Sequence, residues 1–162
     1  MGITKFPQGV SSFGIPVIGA GPVLTTGNVW FVDSGIGSNG NSGKDPGHPF
    51  ATIDYAIGRC TADNGDVIFV CPGHAENVTA TLTLTLDIAG VRVIGIGQGA
   101  SRPTLSLTAV ASVISVTAAS CSLENLLLKA EHDNTIMVDI DATDCSVVAC
   151  EFRSRIAATA RE

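Results

Sequence analysis

Charged side chains are scarce in this chain, because only 15% of its 162 residues are Asp, Glu, Lys or Arg. The formal net charge is −6, and no cluster of Lys or Arg occurs anywhere along the sequence. Nucleic-acid phosphates bind to concentrated basic patches, so we do not expect a nucleic-acid-binding face. Lys and Glu are few and Gly is abundant, with 18 residues. This composition argues against long helices and favours tight turns between short β-strands.

Long apolar runs are also missing. A membrane-spanning helix needs about 20 consecutive apolar residues, and the sequence has no such run. Near the N-terminus, Pro7, Gly9, Gly14 and Pro16 interrupt the apolar residues, so a secretory signal is not expected.

The five cysteines cannot all pair within one chain, and they lie in apolar segments. We therefore expect reduced, buried thiols in a protein that is assembled in a reducing cytosol.

Short apolar segments separated by polar or small residues dominate the chain from Val91 to Phe152. Two of them begin alike, at Cys121 and at Cys145, and an earlier segment that aligns with them begins at Val91. A repeat of roughly 20–30 residues made of short strands is typical of a β-solenoid, in which each turn stacks on the previous one. We predict an all-β coil with three strands per turn. Near Glu124-Asn125 we expect a turn between two short strands, with Asn125 in a polar ladder at the corner. The side chains predicted to point inward are Leu105, Leu107, Leu123, Leu126, Leu128, Ile136, Val138, Ile140, Val147 and Phe152.

The region before the repeat contains the one convincing helix pattern, near residues 52–60. Thr52 suits the N-cap, and Ile53, Ala56, Ile57 and Cys60 share one face. The helix is expected to cap the N-terminal end of the coil. From residue 78 to residue 88, apolar residues alternate with Thr, which predicts a strand with one buried face. No cap is visible at the other end of the coil, so either another subunit or further chain would cover it.

Two regions are distinguished by composition. Residues 28–162 form the predicted coil domain, and residues 1–27 form an extended arm that is rich in Gly and Pro. The arm also has spaced apolar side chains, whereas a flexible linker would be polar. Its apolar residues need a surface to lie on, which is either the coil of the same chain or a partner. Composition alone leaves both alternatives open.

The segment from Val29 to Val78 resembles the opening of right-handed parallel β-helix proteins. In those proteins a strand ending in V-D-S precedes a Gly/Asn-rich loop, a capping helix of the form A-T-I-x-x-A-I, and then G-D-x-I-x-V-x-P-G. The matching residues here are Val32-Asp33-Ser34, Ala51-Thr52-Ile53, Ala56-Ile57, Gly65-Asp66, Val70 and Pro72-Gly73. The resemblance implies a right-handed parallel β-helix with a capping helix, and it says little about function.

The N-terminal pattern F-P-x-G-V-S-S-x-G-I-P-V is similar to the arms of tailed-bacteriophage virion proteins that hold a short β-helix on the capsid. This resemblance implies a head decoration (cement) protein that docks on the major capsid protein, forms a homotrimer and stabilises the head on the virion surface. It implies no cofactor, metal or membrane, with assembly in the host cytoplasm. The residues implied to contact the shell are Phe6, Pro7, Val10, Phe13, Ile15, Pro16 and Val17. The alternative is a tail fibre or tailspike-type β-helix that binds or depolymerises carbohydrate.

Three groups of residues are candidates for chemistry. Asp139, Asp141, Asp144 and Glu151 could place two acids on neighbouring turns, as a glycosidase requires, with Lys129, Arg153 and Arg155 as basic partners. The alternation of Asp139 and Asp141 with Ile140 instead favours solvent-facing positions for these two carboxylates.

A second candidate is a calcium site. The oxygens of Asp33, Asn39, Asn41 and Asp45 could bind calcium, but their spacing favours hydrogen bonds that close turns of the loop. His74 follows closely after Cys71, which ends an apolar strand where a thiol is inert. We therefore predict that the protein is not an enzyme.

Overall fold

The computed structural model describes residues 11–12, 15–16, 25, 27–80 and 84–154. Within these ranges the strands are short, one α-helix has five residues, and a one-turn 3-10 helix spans Gly99–Ser101. The elements in chain order are β1 (Ser11–Ser12), β2 (Ile15–Pro16), β3 (Val29–Val32), α1 (Ile53–Ile57), β4 (Val67–Val70), β5 (Ala75–Val78), β6 (Leu84–Leu86), β7 (Arg92–Gly95), β8 (Thr104–Leu107), β9 (Ile114–Val116), β10 (Ser122–Glu124), β11 (Leu127–Ala130), β12 (Val138–Ile140), β13 (Ser146–Val148) and β14 (Glu151–Arg153).

The strands from β3 onward form three parallel sheets that wrap around one core. The five-stranded sheet has the order β3-β4-β7-β10-β13, the four-stranded sheet β5-β8-β11-β14, and the three-stranded sheet β6-β9-β12. Each full turn of the chain contributes one strand to each sheet, so the fold is a parallel β-helix. The predicted repeats are confirmed by the register, since Ser122 lies beside Arg92 of the preceding turn and Ser146 of the following turn.

The core consists of columns of apolar side chains from successive turns. Ile68, Val93 and Leu123 are register neighbours in the five-stranded sheet, and all three are buried. In the four-stranded sheet, Leu105 pairs with Leu128, and both are completely buried. Fully burying one such side chain contributes about 1.5–3 kcal/mol. The stacking of apolar side chains in successive turns therefore stabilises each turn against the next.

One corner of the coil repeats with the same backbone conformation in four turns. Gly65, Gly90, Ser120 and Asp144 each lie shortly before a strand of the five-stranded sheet, and their φ angles are 74°, 75°, 59° and 58°. The first two are glycines, for which a positive φ is not strained, whereas Ser120 and Asp144 adopt the left-handed region at a cost of about 1–2 kcal/mol each. The backbone conformation of the corner is therefore set by its position in the coil, because it stays the same while the residue type changes.

The helix α1 closes the N-terminal end of the coil, as predicted. Thr52 is its N-cap and accepts a hydrogen bond from the amide of Tyr55 at 3.3 Å, while Ile53, Ala56 and Ile57 are buried. The helix ends at Ile57, earlier than the predicted residue 60, and turns lead from there to Gly65. It packs against β3, β4 and β6.

No helix in the described part of the chain is long and apolar enough to cross a membrane.

Some predictions for the core were wrong in detail. The alternating segment 78–88 is not one strand, because β5 ends at Val78 and β6, in another sheet, begins at Leu84. Leu105, Leu107, Leu123, Leu126 and Leu128 are buried as predicted, and Val138 and Val147 are half-buried. In contrast, Ile136, Ile140 and Phe152 are 51%, 44% and 52% exposed. Ile140 stacks on Val116 and Phe152 on Leu128, so both are in the expected columns but belong to the last described turn.

Asn125 forms the turn between β10 and β11, as predicted, but not a polar ladder. Its φ is 53°, and its side-chain amide donates hydrogen bonds to the carbonyl oxygens of Gly95 at 2.8 Å and Gly97 at 2.9 Å in the preceding turn. The equivalent residue in the next turn is Ala149, with a φ of 53°. Alanine has no side-chain amide, so the hydrogen bonds run from one asparagine to the backbone and are not repeated.

We expect Asn125→Ala to lower the free energy of unfolding by about 1–3 kcal/mol, because two carbonyl groups lose their donor. Urea unfolding monitored by circular dichroism measures the change. Asn77→Ala is the matched control, since Asn77 is exposed on the four-stranded sheet, and its effect is expected to stay within about 0.5 kcal/mol. Equal effects of the two substitutions would contradict a structural role for the Asn125 amide.

Candidate docking site at the base of the arm

The residues predicted to contact the shell lie almost wholly outside the described residues. Phe6, Pro7, Val10, Phe13 and Val17 are not described, and for Ile15 and Pro16 only the backbone is. β1 and β2 pair antiparallel, with Ser11 opposite Pro16 and Ser12 opposite Ile15. The arm thus contains a short strand pair within its predicted docking motif. The role of these residues stays a prediction.

The point where the arm joins the coil is held by a buried carboxylate. Asp66 has no exposed surface and accepts hydrogen bonds from the backbone amide of Asn28 at 2.6 Å and that of Thr61 at 2.8 Å. The side-chain amide of Asn64 donates a third at 2.7 Å, and that of Asn28 contacts both carboxylate oxygens at 3.2 and 3.3 Å. Asp66 therefore ties Asn28, the residue that directly follows the arm, to the turn before β4.

These hydrogen bonds keep Asp66 ionised although it is buried. Burial alone would raise the pKa of Asp66, but the amides of Thr61, Asn28 and Asn64 outweigh this effect and lower the pKa below its ordinary value. A buried carboxylate that accepts several N–H groups is stable only with all of its donors in place. The geometry of the arm base is therefore closely specified.

Further contacts restrict the chain at the same place. The hydroxyl group of Thr25 donates to the carbonyl oxygen of Gly65, so the arm lies beside the first left-handed corner. A Cβ atom at Gly27 would lie 2.5 Å from the carbonyl oxygen of Asn64, so only glycine fits there. Lys44 also donates to the side-chain oxygen of Asn28 at 3.1 Å, and its ammonium group lies 3.3 Å from the centroid of the Trp30 ring.

The loop that contains the candidate calcium ligands uses its polar side chains to close its own turns. Asp33 accepts from the amide of Gly35 at 2.7 Å, and Asp45 from the amide of Gly47 at 2.9 Å. Asn39 accepts from the amide of Ala51 at 2.9 Å, and Asn41 donates to the carbonyl oxygen of Pro49 at 2.8 Å. Among the described residues, no group of three or more His, Cys, Asp or Glu side chains is placed to hold a metal ion.

The acidic cluster that is a candidate for catalysis is divided between different sheets. Asp139 and Asp141 are exposed, as the alternation predicted. Glu151 lies in the four-stranded sheet and pairs with Arg102 at 3.3 Å and with Arg153 at 2.6 Å. Its carboxylate is therefore engaged in ion pairs with Arg153 of its own strand and with Arg102, which lies before β8. Lys129 pairs with Glu131 at 2.6 Å.

The cysteines are free thiols in or beside the core. Cys71 and Cys121 are buried, and Cys60, Cys145 and Cys150 are half-buried. Burial raises the pKa of Cys60 to about 12 and raises that of Cys71 as well, which leaves these thiols protonated and unreactive at neutral pH. The Nε2 atom of the buried His74 contacts Glu76 at 3.1 Å, and its Nδ1 atom has no hydrogen-bond partner among the described residues, so the imidazole is not hydrogen-bonded to the Cys71 thiol.

Sequence reasoning did not identify a small acidic pocket beside the helix. The pocket has a volume of about 300 Å³, and its lining includes Asp54 and Glu76. Glu76 accepts a hydrogen bond from the amide of Ile53 at 3.0 Å, which helps to fix the helix to β5. Burial and the nearby charge of Glu76 raise the pKa of Asp54. A charged residue within a short strand after Pro72-Gly73 was the signal that could have indicated this site.

We expect Asp66→Asn to lower the free energy of unfolding by about 2 kcal/mol or more at pH 7, because the amide cannot accept all of the present hydrogen bonds. The folded-state pKa of Asp66 is lowered, so its contribution is complete above the unfolded pKa of about 3.9 and is lost as the pH falls through the folded value. The difference between wild type and variant should therefore shrink below about pH 4 in urea titrations.

Asp63→Asn is the matched control for that experiment. Asp63 is exposed and lies in the same turn as Asp66, with a φ of 55° that asparagine also adopts. Its substitution is expected to change stability by no more than about 0.5 kcal/mol. A difference between wild type and Asp66→Asn that is independent of pH would contradict the ionised carboxylate.

Comparison of the chain with models of known protein families, with curated proteins and with solved structures found no match. The parallel β-helix is therefore established by the strand order and register of the chain itself. Function has to be inferred from the arm, its attachment and the surfaces of the coil.

Proposed function

We propose that this protein is a structural virion component, a decoration (cement) protein that docks on the major capsid protein of a tailed phage through its N-terminal arm. The observation that carries the proposal is the fixed junction of arm and coil, where the buried Asp66 carboxylate holds Asn28, the first residue of the coil, and Thr25 of the arm donates a hydrogen bond to the carbonyl oxygen of the adjacent Gly65. A segment that only links two domains needs no such attachment. A segment that holds a domain on a shell does need a fixed junction, because any force on the arm is transmitted to the residues where the arm joins the coil.

The apolar end of the coil supports a role in assembly. Ile140, Phe152 and Val148 are 44%, 52% and 50% exposed, and they lie on β12, β14 and β13, the last strands of the three sheets within the described residues. Exposed apolar side chains beside unpaired strand edges promote association unless other protein covers them. A homotrimer on the capsid surface, formed in the host cytoplasm, would place this end among neighbouring subunits. We therefore include the trimer in the proposal.

The acidic pocket favours a second candidate function. Asp54 and Glu76 line a concave site, and a pair of carboxyl groups in different electrostatic environments is the arrangement that glycosidases use. Its volume of about 300 Å³ is at the lower limit for a ligand site. A tailspike-type protein that binds or cleaves carbohydrate is therefore the alternative, with one saccharide unit at this pocket.

We expect replacement of Phe6, Phe13 and Ile15 by serine to weaken binding to heads of the encoding phage by roughly a hundredfold or more, because three apolar contacts are lost. Co-sedimentation of purified protein with undecorated heads measures the affinity. The matched control replaces Ile36 and Val110, which are 65% and 64% exposed on loops of the coil, and should bind as the wild type does.

Equal binding by the arm variant and the wild type would refute docking through these residues. If the wild type fails to bind heads but binds or cleaves a bacterial polysaccharide, and Glu76→Gln abolishes this, the tailspike alternative is correct.

A further inference from the structure

Two basic side chains that are far apart in the sequence lie side by side on the four-stranded sheet. Lys129 of β11 and Arg153 of β14 are register neighbours, because one turn of the coil separates them. Leu128 points into the core, so Lys129 next to it points outward. Like charges at adjacent positions on a sheet destabilise it unless negative charge is also present. The coil thus creates a basic site that the sequence alone does not contain.

The two basic residues line a groove on the outward face of this sheet. Its volume is about 540 Å³, which is within the usual range for ligand sites. Leu127 also points outward but is only 7% exposed, so it forms the bottom of the groove. We call this site the basic groove, and its lining residues are Gly99, Ala100, Thr104, Leu127, Lys129 and Arg153.

The cations at the basic groove outnumber their carboxylate partners. Lys129 pairs with Glu131 at 2.6 Å. Glu151 is shared by two guanidinium groups, those of Arg153 at 2.6 Å and Arg102 at 3.3 Å. Among the described residues, three cations thus have two carboxylates. The groove therefore has an excess of positive charge, although the net charge of the whole chain is −6.

Arg153 also has hydrogen-bond donors to spare. Its Nε atom donates to Glu151 at 2.6 Å, and its terminal nitrogens have no hydrogen-bond partner among the described residues. In contrast, Arg92 on the five-stranded sheet directs both Nε and a terminal nitrogen at Glu124, at 3.0 and 2.7 Å. A guanidinium group has five N–H donors, so Arg153 can bind an external carboxylate while it keeps Glu151.

We propose that the basic groove binds a sugar acid, with the ligand carboxylate against Arg153 and Lys129. The rest of the lining favours this class of ligand. The hydroxyl group of Thr104 donates to the carbonyl oxygen of Arg102 at 3.3 Å, which leaves its oxygen able to accept from a sugar hydroxyl. Leu127 offers an apolar surface to the C–H groups of the ring. None of the described lining residues is aromatic, so a flat aromatic acid has no ring to stack on.

The basic groove does not depend on the proposed function. Docking was assigned to the arm, whereas the groove lies on the four-stranded sheet and contains no arm residue. It is also distinct from the acidic pocket, where the carboxylates of Asp54 and Glu76 would repel an anion. Failure of the sugar acid to bind would therefore leave the decoration proposal unaffected.

The test is a titration of the isotope-labelled, full-length protein with sodium glucuronate, followed by amide chemical shifts in NMR spectra. We expect saturable shifts at Gly99, Ala100 and Lys129. Arg153→Gln should weaken binding by about tenfold or more, because charge-assisted hydrogen bonds to the carboxylate are lost. Lys129→Gln should weaken it by at least about threefold. Circular dichroism checks that each variant keeps the fold of the wild type.

Arg59→Gln is the matched control. It removes the same unit of charge from an exposed residue that follows α1 and does not line the groove. At about 0.15 M salt its Kd for glucuronate should stay within about a factor of two of the wild-type value, because distant surface charges are screened. Equal affinities of Arg153→Gln, Lys129→Gln and the wild type overturn the proposal, as does the absence of saturable shifts in the groove.

Glucose and acetate separate the two parts of the ligand. Glucose lacks the carboxylate, and we expect it to bind at least about tenfold more weakly than glucuronate. Acetate lacks the ring and its hydroxyl groups, and it should also bind more weakly. If glucose binds as tightly as glucuronate, the role of the two cations is wrong. If acetate does, the groove is a general carboxylate site and the assignment to a sugar acid is overturned.

Discussion

The described coil depends on the stacking of each turn on the next in register. A side chain on the inside of one turn is buried by the equivalent side chain of its neighbour, as Leu105 is by Leu128. The same contact explains why apolar side chains are buried at the N-terminal end of the coil and exposed in the last described turn. At the N-terminal end, α1 and its buried Ile53, Ala56 and Ile57 replace the missing neighbour. At the last described turn, Phe152 occupies the correct column and is still half-exposed, because burial in a coil is supplied by the adjacent turn.

The N-terminal end has a second task, which is to hold the arm. Asp66 lies between Gly65, the first left-handed corner, and β4, the first strand that the coil pairs on both sides. The hydrogen bonds that stabilise its charge come from Asn28 next to the arm, from Thr61 after the helix and from Asn64 beside the corner. Loss of any one donor leaves a buried charge less well solvated, so these three segments order together. This shared dependence makes the attachment of the arm a property of the coil and not of a separate hinge.

Much of the fold could be predicted from the sequence because a solenoid repeats its pattern. The starts at Cys121 and Cys145 and the earlier start at Val91 predicted the register, and Thr52 with the buried face of the helix predicted the cap. Prediction failed where the pattern is ambiguous. Alternation from residue 78 to residue 88 continues across a corner, because both Val78 and Leu84 are inward although they belong to different sheets. Exposure of Phe152 was missed because periodicity identifies a column but not whether a next turn covers it.

The candidate site was predicted less well than the fold. The docking role of the arm stays a prediction, and the fixed junction at Asp66 was not predicted, since a single aspartate before an apolar strand has no special pattern. Its role depends on donors from Asn28, Thr61 and Asn64, whose proximity arises only when the coil closes. The pocket at Asp54 and Glu76 was missed for the same reason, as one residue belongs to α1 and the other to β5.

The left-handed corner has a consequence for how such a coil can change in length. Ser120 and Asp144 have nearly the same φ, precede strands that lie in register, and enclose one complete turn of three strands. Removing residues 121–144 would join two backbone conformations that already match, and duplicating them would insert a turn without altering either neighbour. The corner is therefore a natural joint for recombination, at which whole turns can be gained or lost while the helix cap and the attached arm stay unchanged.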